Sequence, residues 1–443
     1  MNRIRNAKSR LRSRRAILGL LGVVMVAILV AAACGEDATP TPSSAAPTSV
    51  PPTATTAAAP QPTDVPTTSI RPIEEWTVEN PATIEEIEAQ LEKHRGESFV
   101  FVSWGGAYQA MERQAFLVPF SEKFGIEIIE DGPPDYAKVR VMARTGNITW
   151  DIIDGSGQVA VTMGLEGVLE ELDETIVDKR DLFPHIRDAP WMGGGGSAYS
   201  MIIMYSLDTF PDGGPQPSSW ADYLDTETFP GRRGLFGNDW NWKHMVRFAL
   251  MADDPSLLDT EEGRASLSAM SPEELDRAWK IVEEQFIPAT DVLFSGGSDC
   301  PSLLLSGELD ICQTDSGVAY DSIVNGGVNA RACWECGHDV LTDNWWVPKG
   351  IKEQDPVKFE LLNLFLAWTQ FPEIAASQAL YQPYGSTNLK SAPFLDDPKF
   401  DAHRGWLPTA DANLPFAILM DEASDGEIGG AQADIWFEVQ GKK

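Results

Sequence analysis

From about residue 97 onward, short apolar runs alternate with longer stretches whose apolar residues recur every three or four positions. The runs Phe99-Val100-Phe101-Val102, Ile126-Glu127-Ile128-Ile129 and Trp150-Asp151-Ile152-Ile153 predict strands, and the stretches 106–124 and 136–144 between them predict helices. The alternation returns after residue 230. Gly234-Leu235-Phe236, Leu309-Asp310-Ile311-Cys312 and 330–334 predict strands, while 243–252, 272–285, 316–324, 356–370 and 372–381 predict helices. The 272–285 helix opens on Ser271-Pro272-Glu273-Glu274, a capping box with proline at the first helical position. Such alternation predicts an α/β fold with parallel sheets covered by helices. At 443 residues the chain exceeds one ordinary core, so two lobes are expected.

The chain before residue 97 has a different texture. Residues 1–15 carry seven cations, Arg3, Arg5, Lys8, Arg10, Arg12, Arg14 and Arg15, and no acid. An uncharged apolar run, Ala16 to Ala33, follows and ends in Ala31-Ala32-Ala33 directly before Cys34-Gly35. Residues 1–33 therefore read as a signal peptide, with Cys34 acylated at the mature N-terminus; a permanent anchor helix is the alternative. Ser13-Arg14-Arg15 also suits a twin-arginine signal, which leaves the export route open. Residues 34–71 are mostly Pro, Thr, Ala and Ser, a composition too poor in apolar surface to fold, and read as a tether. At ~3 Å per residue it could hold a globule roughly 100 Å from a membrane. Within 72–96, Ile84, Ile87 and Leu91 share a helical face and predict a lead-in helix.

Charge narrows the partners. With 66 Asp+Glu against 34 Lys+Arg, net −32, the chain should repel nucleic acid and anionic lipid; the charge could favour a cationic ligand, while most of these carboxylates read as solvated surface. The sequence contains no phosphate-loop motif, no G-x-S-x-G elbow and no H-E-x-x-H, and its five histidines are scattered. Gly193–Gly196 reads as a flexible loop. No catalytic residue, cofactor or metal is assigned. Outside the cytoplasm Cys300, Cys312, Cys333 and Cys336 are expected to form two disulfides, with a zinc site as the alternative. Their positions around the strands predicted at 309–312 and 330–334 favour Cys300–Cys336 and Cys312–Cys333.

Five motifs occur in order: Ser103-Trp104-Gly105-Gly106-Ala107-Tyr108, Asp222-Tyr223-Leu224, Phe229-Pro230-Gly231-Arg232-Arg233-Gly234, Trp345-Trp346-Val347-Pro348-Lys349-Gly350 and Tyr384-Gly385-Ser386-Thr387-Asn388. Together, over residues 97–395, they resemble the extracellular solute-binding proteins of spermidine/putrescine type that feed ABC importers. The resemblance implies a periplasmic-binding-protein-like type II clamp, two α/β lobes built from discontinuous segments around a hinge. Lobe 1 would comprise 97–204 plus 344–400, and lobe 2 205–343 plus 401–443. It implies a non-enzymatic monomer, exported and anchored through Cys34 on the periplasmic or extracellular face, that delivers a small solute to permease subunits.

Ligand groups are then expected where strand ends meet the cleft. Trp104 and Tyr108 follow the first strand and could stack on an ammonium. Ser156 ends the third strand and offers a hydroxyl, and Tyr384 opens the last motif. Asp239, Asp315 and Asp343 occupy positions where polyamine binders keep carboxylates or ligand contacts, although an Asp before a helix is commonly an N-cap. The pattern departs from that family at Asp315-Ser316-Gly317, where an aromatic-Asn-Gly is usual, and at Thr342, where an aromatic is usual. The ligand reading is thus a polyamine or other organic cation, with iron, thiamine, carbohydrate or amino acid as alternatives. A sensory receptor, an adhesin or a surface enzyme are the competing classes. Arg232 and Arg233, the one close cationic pair near these motifs, read as a surface turn.

Overall fold

A computed structural model of the protein describes residues 70–442; the signal peptide, Cys34 and the tether up to residue 69 lie outside the described residues. Ten strands occur in chain order: β1 (Ser98–Val102), β2 (Glu127–Asp131), β3 (Ile152–Ser156), β4 (Ala198–Ser206), β5 (Arg233–Phe236), β6 (Val292–Phe294), β7 (Ile311–Asp315), β8 (Ala330–Cys333), β9 (His338–Trp346) and β10 (Ala417–Leu419). Their spatial order is β2-β1-β3-β9-β4-β7-β5-β6, with β10 beside β9 and β8 beside β4.

Two parallel half-sheets result, β2-β1-β3 and β7-β5-β6. The long strands β9 and β4 join them by antiparallel pairing. Parallel strands were expected; the two antiparallel joining strands were not. Each half carries its own core. Period-two alternation sends Phe99 and Phe101 of β1 into one layer with Phe120, Trp345 and Phe365, while Val102 packs on the other side with Val139 and Ile153. In the second half Trp220 stacks on Phe248 at 3.8 Å, in a core that reaches to Trp436 of the C-terminal helix Glu422–Gln440.

The helix expected over 106–124 is continuous but contains a π-helical stretch at Arg113–Leu117. Ser271 and Glu274 form the expected capping box on the helix beginning at Pro272. Among the described residues no helix is long and apolar enough to cross a membrane.

Three expectations are corrected. The disulfides are Cys300–Cys312 and Cys333–Cys336, with Cα separations of 5.7 and 5.4 Å. The crossed pairing fails because β4 lies between β7, carrying Cys312, and β8, carrying Cys333; Met204 pairs with Cys312 on one side and with Ala332 on the other. Two strand spacings of ~4.8 Å exceed the reach of a disulfide. Gly193–Gly196 is buried rather than a loose loop. A Cβ on Gly196, at φ +60°, would meet the Asp343 carbonyl oxygen at 2.1 Å, so this turn seats directly beneath β9. Finally, only Arg232 is exposed. Arg233 is buried, and its guanidinium donates to the carbonyl oxygens of Tyr223 at 2.6 Å, Gly231 at 2.5 Å, Asp225 at 3.2 Å and also Phe229.

Candidate ligand site at the join of the half-sheets

The loops at the C-terminal ends of β1, β3, β5 and β7 lead into helices, and strand β9 passes between the two groups. In open α/β sheets this is where ligands bind, because helix N-termini and free loop backbone converge there. Antiparallel register places Ser156, the last residue of β3, opposite Asp343 of β9.

Asp343 is 8% exposed, and its carboxylate makes no hydrogen bond or ion pair with any described residue. Burial pushes its pKa well above the carboxylate range, and the charges of Asp154, Glu422 and Asp315 push the same way against the pull of Lys243. A buried carboxylate without a partner is costly unless a ligand supplies one.

Four tyrosines feel its charge. The Tyr108 hydroxyl lies 2.9 Å from Ser197 Oγ, and its ring meets the edge of Tyr384 at 5.2 Å between centroids. Tyr384 donates to Asp315 Oδ1 at 3.2 Å. Tyr136 lies edge-on to Trp104 at 6.3 Å, and Trp104 remains 41% exposed, a ring available at the mouth. Asp343 raises the pKa of Tyr108, Tyr136, Tyr199 and Tyr384, each already raised chiefly by burial, which places all four phenols within its field.

Beneath Tyr108 lies a second acid group. Ser103 donates to Glu112 and, at 3.4 Å, to Asp154 Oδ2, while Trp345 Nε1 donates to Glu112 Oε1 at 3.2 Å. Asp154 Oδ1 is buried with no aligned donor. Burial drives the Glu112 pKa up to about 8 and that of Asp154 well above the usual range. Asp315 is an N-cap, accepting from Gly317 N at 2.8 Å and Val318 N at 3.1 Å, and burial still lifts its pKa to about 6.

The structure thus brings Trp104, Tyr108, Ser156, Asp315, Asp343 and Tyr384 to one region. Asp239 stands apart: it is exposed, and its carboxylate accepts from Trp240 N at 2.9 Å. Sequence reasoning missed Glu112, the Asp154 carboxylate, Tyr136, Tyr199 and Lys243. Position could have flagged Asp154 and Lys243, which sit at the end of a strand and at the start of a βα helix. Among the described residues no group of three or more His, Cys, Asp or Glu is disposed to hold a metal ion.

Two parallel half-sheets joined by paired crossing strands, with an unpartnered carboxylate and a tyrosine ring at the join, define a solute-binding clamp of the type II periplasmic-binding-protein fold. The chain matches the bacterial extracellular solute-binding protein family over residues 115–405 and belongs to it. It is 25% identical over 329 residues to a gamma-aminobutyric acid-binding protein of Pseudomonas aeruginosa, covering 74% of this chain and 86% of that one. Among solved structures, an ABC transporter substrate-binding protein from Bradyrhizobium japonicum USDA 110 is 27% identical with a TM-score of 0.67, covering 78% of this chain and 99% of the other. A GABA receptor is likewise 27% identical, with a TM-score of 0.62 and coverages of 78% and 98%. The protein is therefore a non-enzymatic substrate-binding component of an ABC importer that takes up a small solute.

Proposed function

We propose that this substrate-binding protein captures a solute carrying an ammonium group, seated against Asp343 within the ring of Tyr108, Tyr136, Tyr199 and Tyr384. The carrying observation is the Asp343 carboxylate, buried and without a protein partner. An ammonium there would form a charge-assisted hydrogen bond worth ~1.5–3 kcal/mol and cation–π contacts of ~0.5–2 kcal/mol. Ser156 and Asp315 add acceptors, and Trp104 closes over the mouth. Segments 97–204 plus 344–400 would move as one lobe and 205–343 plus 401–443 as the other, hinged at β4 and β9, so that closure buries the ligand and forms the face presented to the permease. A polyamine is one member of this ligand class; the gamma-aminobutyric acid-binding relative makes an amino acid another.

Cys34 would hold the protein on the membrane through its lipid, with 34–71 as tether. Cys34→Ala should abolish the modification, measured by mass spectrometry of the N-terminal peptide; an unmodified wild-type N-terminus elsewhere would refute the anchor.

The ligand test is calorimetry of the full-length lipoprotein in detergent against amines, amino acids, sugars and carboxylates. Asp343→Asn retains shape and removes charge. It should weaken amine-bearing ligands by roughly ten- to a hundredfold, since about 1.4 kcal/mol is a factor of ten. Tight binding of a sugar or simple carboxylate, unaffected by Asp343→Asn, would refute the ammonium site.

A further inference from the structure

One cation stands among these acids. Lys243 is the second residue of the helix Trp242–Asp253, which follows β5 through the short turn Asp239–Asn241. It is 2% exposed, and its ammonium makes no hydrogen bond or ion pair with any described residue. A lysine so enclosed ordinarily has a carboxylate or carbonyl partner, because desolvating an unpaired ammonium is expensive. The other buried cations of the described chain do have partners: Lys179 donates to the Ala189 carbonyl at 2.7 Å, Arg247 reaches Asp425 at 3.1 Å, and Arg233 caps carbonyls. The Lys243 charge is nonetheless felt by Asp343, as it is by Glu422 and Asp425, so the two unbonded charges lie within each other's field without touching.

We propose that Lys243 is the anchor for a ligand carboxylate, and that the solute is a zwitterion, an amino acid whose ammonium seats at Asp343 and whose carboxylate seats at Lys243. This rests on the ammonium site proposed above and narrows its ligand class. One molecule then satisfies both unpartnered groups, and opposite charges fix its orientation. A diamine would place a second positive charge toward Lys243 and leave that ammonium unpaired. The competing role for Lys243 is structural, as a solvent-bridged partner of Glu422 and Asp425, each of which keeps one buried oxygen without a donor.

The test uses the full-length lipoprotein in detergent and calorimetry with 4-aminobutyrate, 5-aminopentanoate, n-butylamine, putrescine and butyrate. On the wild type, an ω-amino acid should bind at least tenfold more tightly than butylamine or putrescine. Lys243→Met should abolish that preference, weakening the amino acids at least tenfold while leaving the amines unchanged or tighter. Putrescine binding more tightly than either amino acid, with Asp343→Asn weakening both classes, would overturn the Lys243 assignment and leave the ammonium site standing. Equal losses for amines and amino acids in Lys243→Met would mark the structural role and likewise overturn it. Butyrate binding that survives Asp343→Asn and fails in Lys243→Met would instead overturn the ammonium site. If Lys243→Met does not fold, the wild-type ranking of butylamine, putrescine and 4-aminobutyrate decides by itself.

Discussion

The Tyr384 hydroxyl donates to Asp315 Oδ1 at 3.2 Å, joining the last of the five ordered motifs to the N-cap of the helix Ser316–Tyr320. Gly317 makes the approach possible: a Cβ there would meet the Tyr384 hydroxyl oxygen at 2.2 Å. In the proposed lobe division this contact would link residue 384 of the first lobe to residue 315 of the second, and so would act at closure. Tyr384→Phe keeps the ring and removes the bond. Ligand affinity should fall roughly three- to tenfold, as for one hydrogen bond of ~1 kcal/mol, measured by calorimetry. Gly317→Ala should lose more, because the ring must also move.

The acid cluster predicts how stability and binding depend on pH. Folding raises the pKa of Asp315 to about 6 and of Glu112 to about 8, both through burial. Between the ordinary carboxylate range and those values, the folded protein holds protons that the unfolded chain has released. These groups make stability of the unliganded protein fall as pH rises; below about 6.5 the buried His338, lowered to about 4, and His244 give the opposite slope, so the fall should show between about 6.5 and 8, and the thermal midpoint reads it. An ammonium ligand favours the ionised carboxylates, so its affinity should rise over the same window, by at most about tenfold per pH unit for each proton released. Calorimetry in buffers of different ionisation enthalpy would count those protons. Affinity independent of pH between about 5 and 8 would show that the cluster does not face the ligand.

Arg233 is buried and its guanidinium caps four carbonyls at the base of β5. Arg233→Met should destabilise the protein by about 3–5 kcal/mol, since buried acceptors lose charge-assisted donors, as read from urea unfolding. Exposed Arg232→Ala should be nearly neutral. Equal effects would mean the cap contributes nothing.

The disulfides span different loops. Cys300–Cys312 closes 12 residues of sequence separation and Cys333–Cys336 closes 3. Chain entropy assigns about 3 kcal/mol to the first and about 2 kcal/mol to the second. Removing Cys300 and Cys312 together should thus lower stability more than removing Cys333 and Cys336. Peptide mapping without reduction should recover Cys300 linked to Cys312, and thiol counting on the described region should find none free.

Much of the architecture was legible in local pattern. Period-two runs marked β1, β2 and β3, and helical spacing marked the helices between them, because burying one face of an element imposes its period on the sequence. The ordered motifs also located Trp104, Tyr108, Asp315, Asp343 and Tyr384. What the sequence could not reveal is what lies across the sheet from what. Strand β9 reads His-Asp-Val-Leu-Thr-Asp-Asn-Trp-Trp, polar enough for a loop, yet all nine residues are buried, because it runs inside the sheet between β3 on one side and β4 and β10 along its length. Three of its polar side chains take distant partners: His338 takes Ser200, Asp339 His244 and Thr342 Glu422. The disulfide pairing likewise turned on β4 standing between Cys312 and Cys333. Spacing along the chain says which side chains share a face; only the tertiary structure decided which charges found partners. It left Asp343 and Lys243 buried without a direct hydrogen bond or ion pair, because Glu422 and Asp425, which feel the Lys243 charge, are held by other partners.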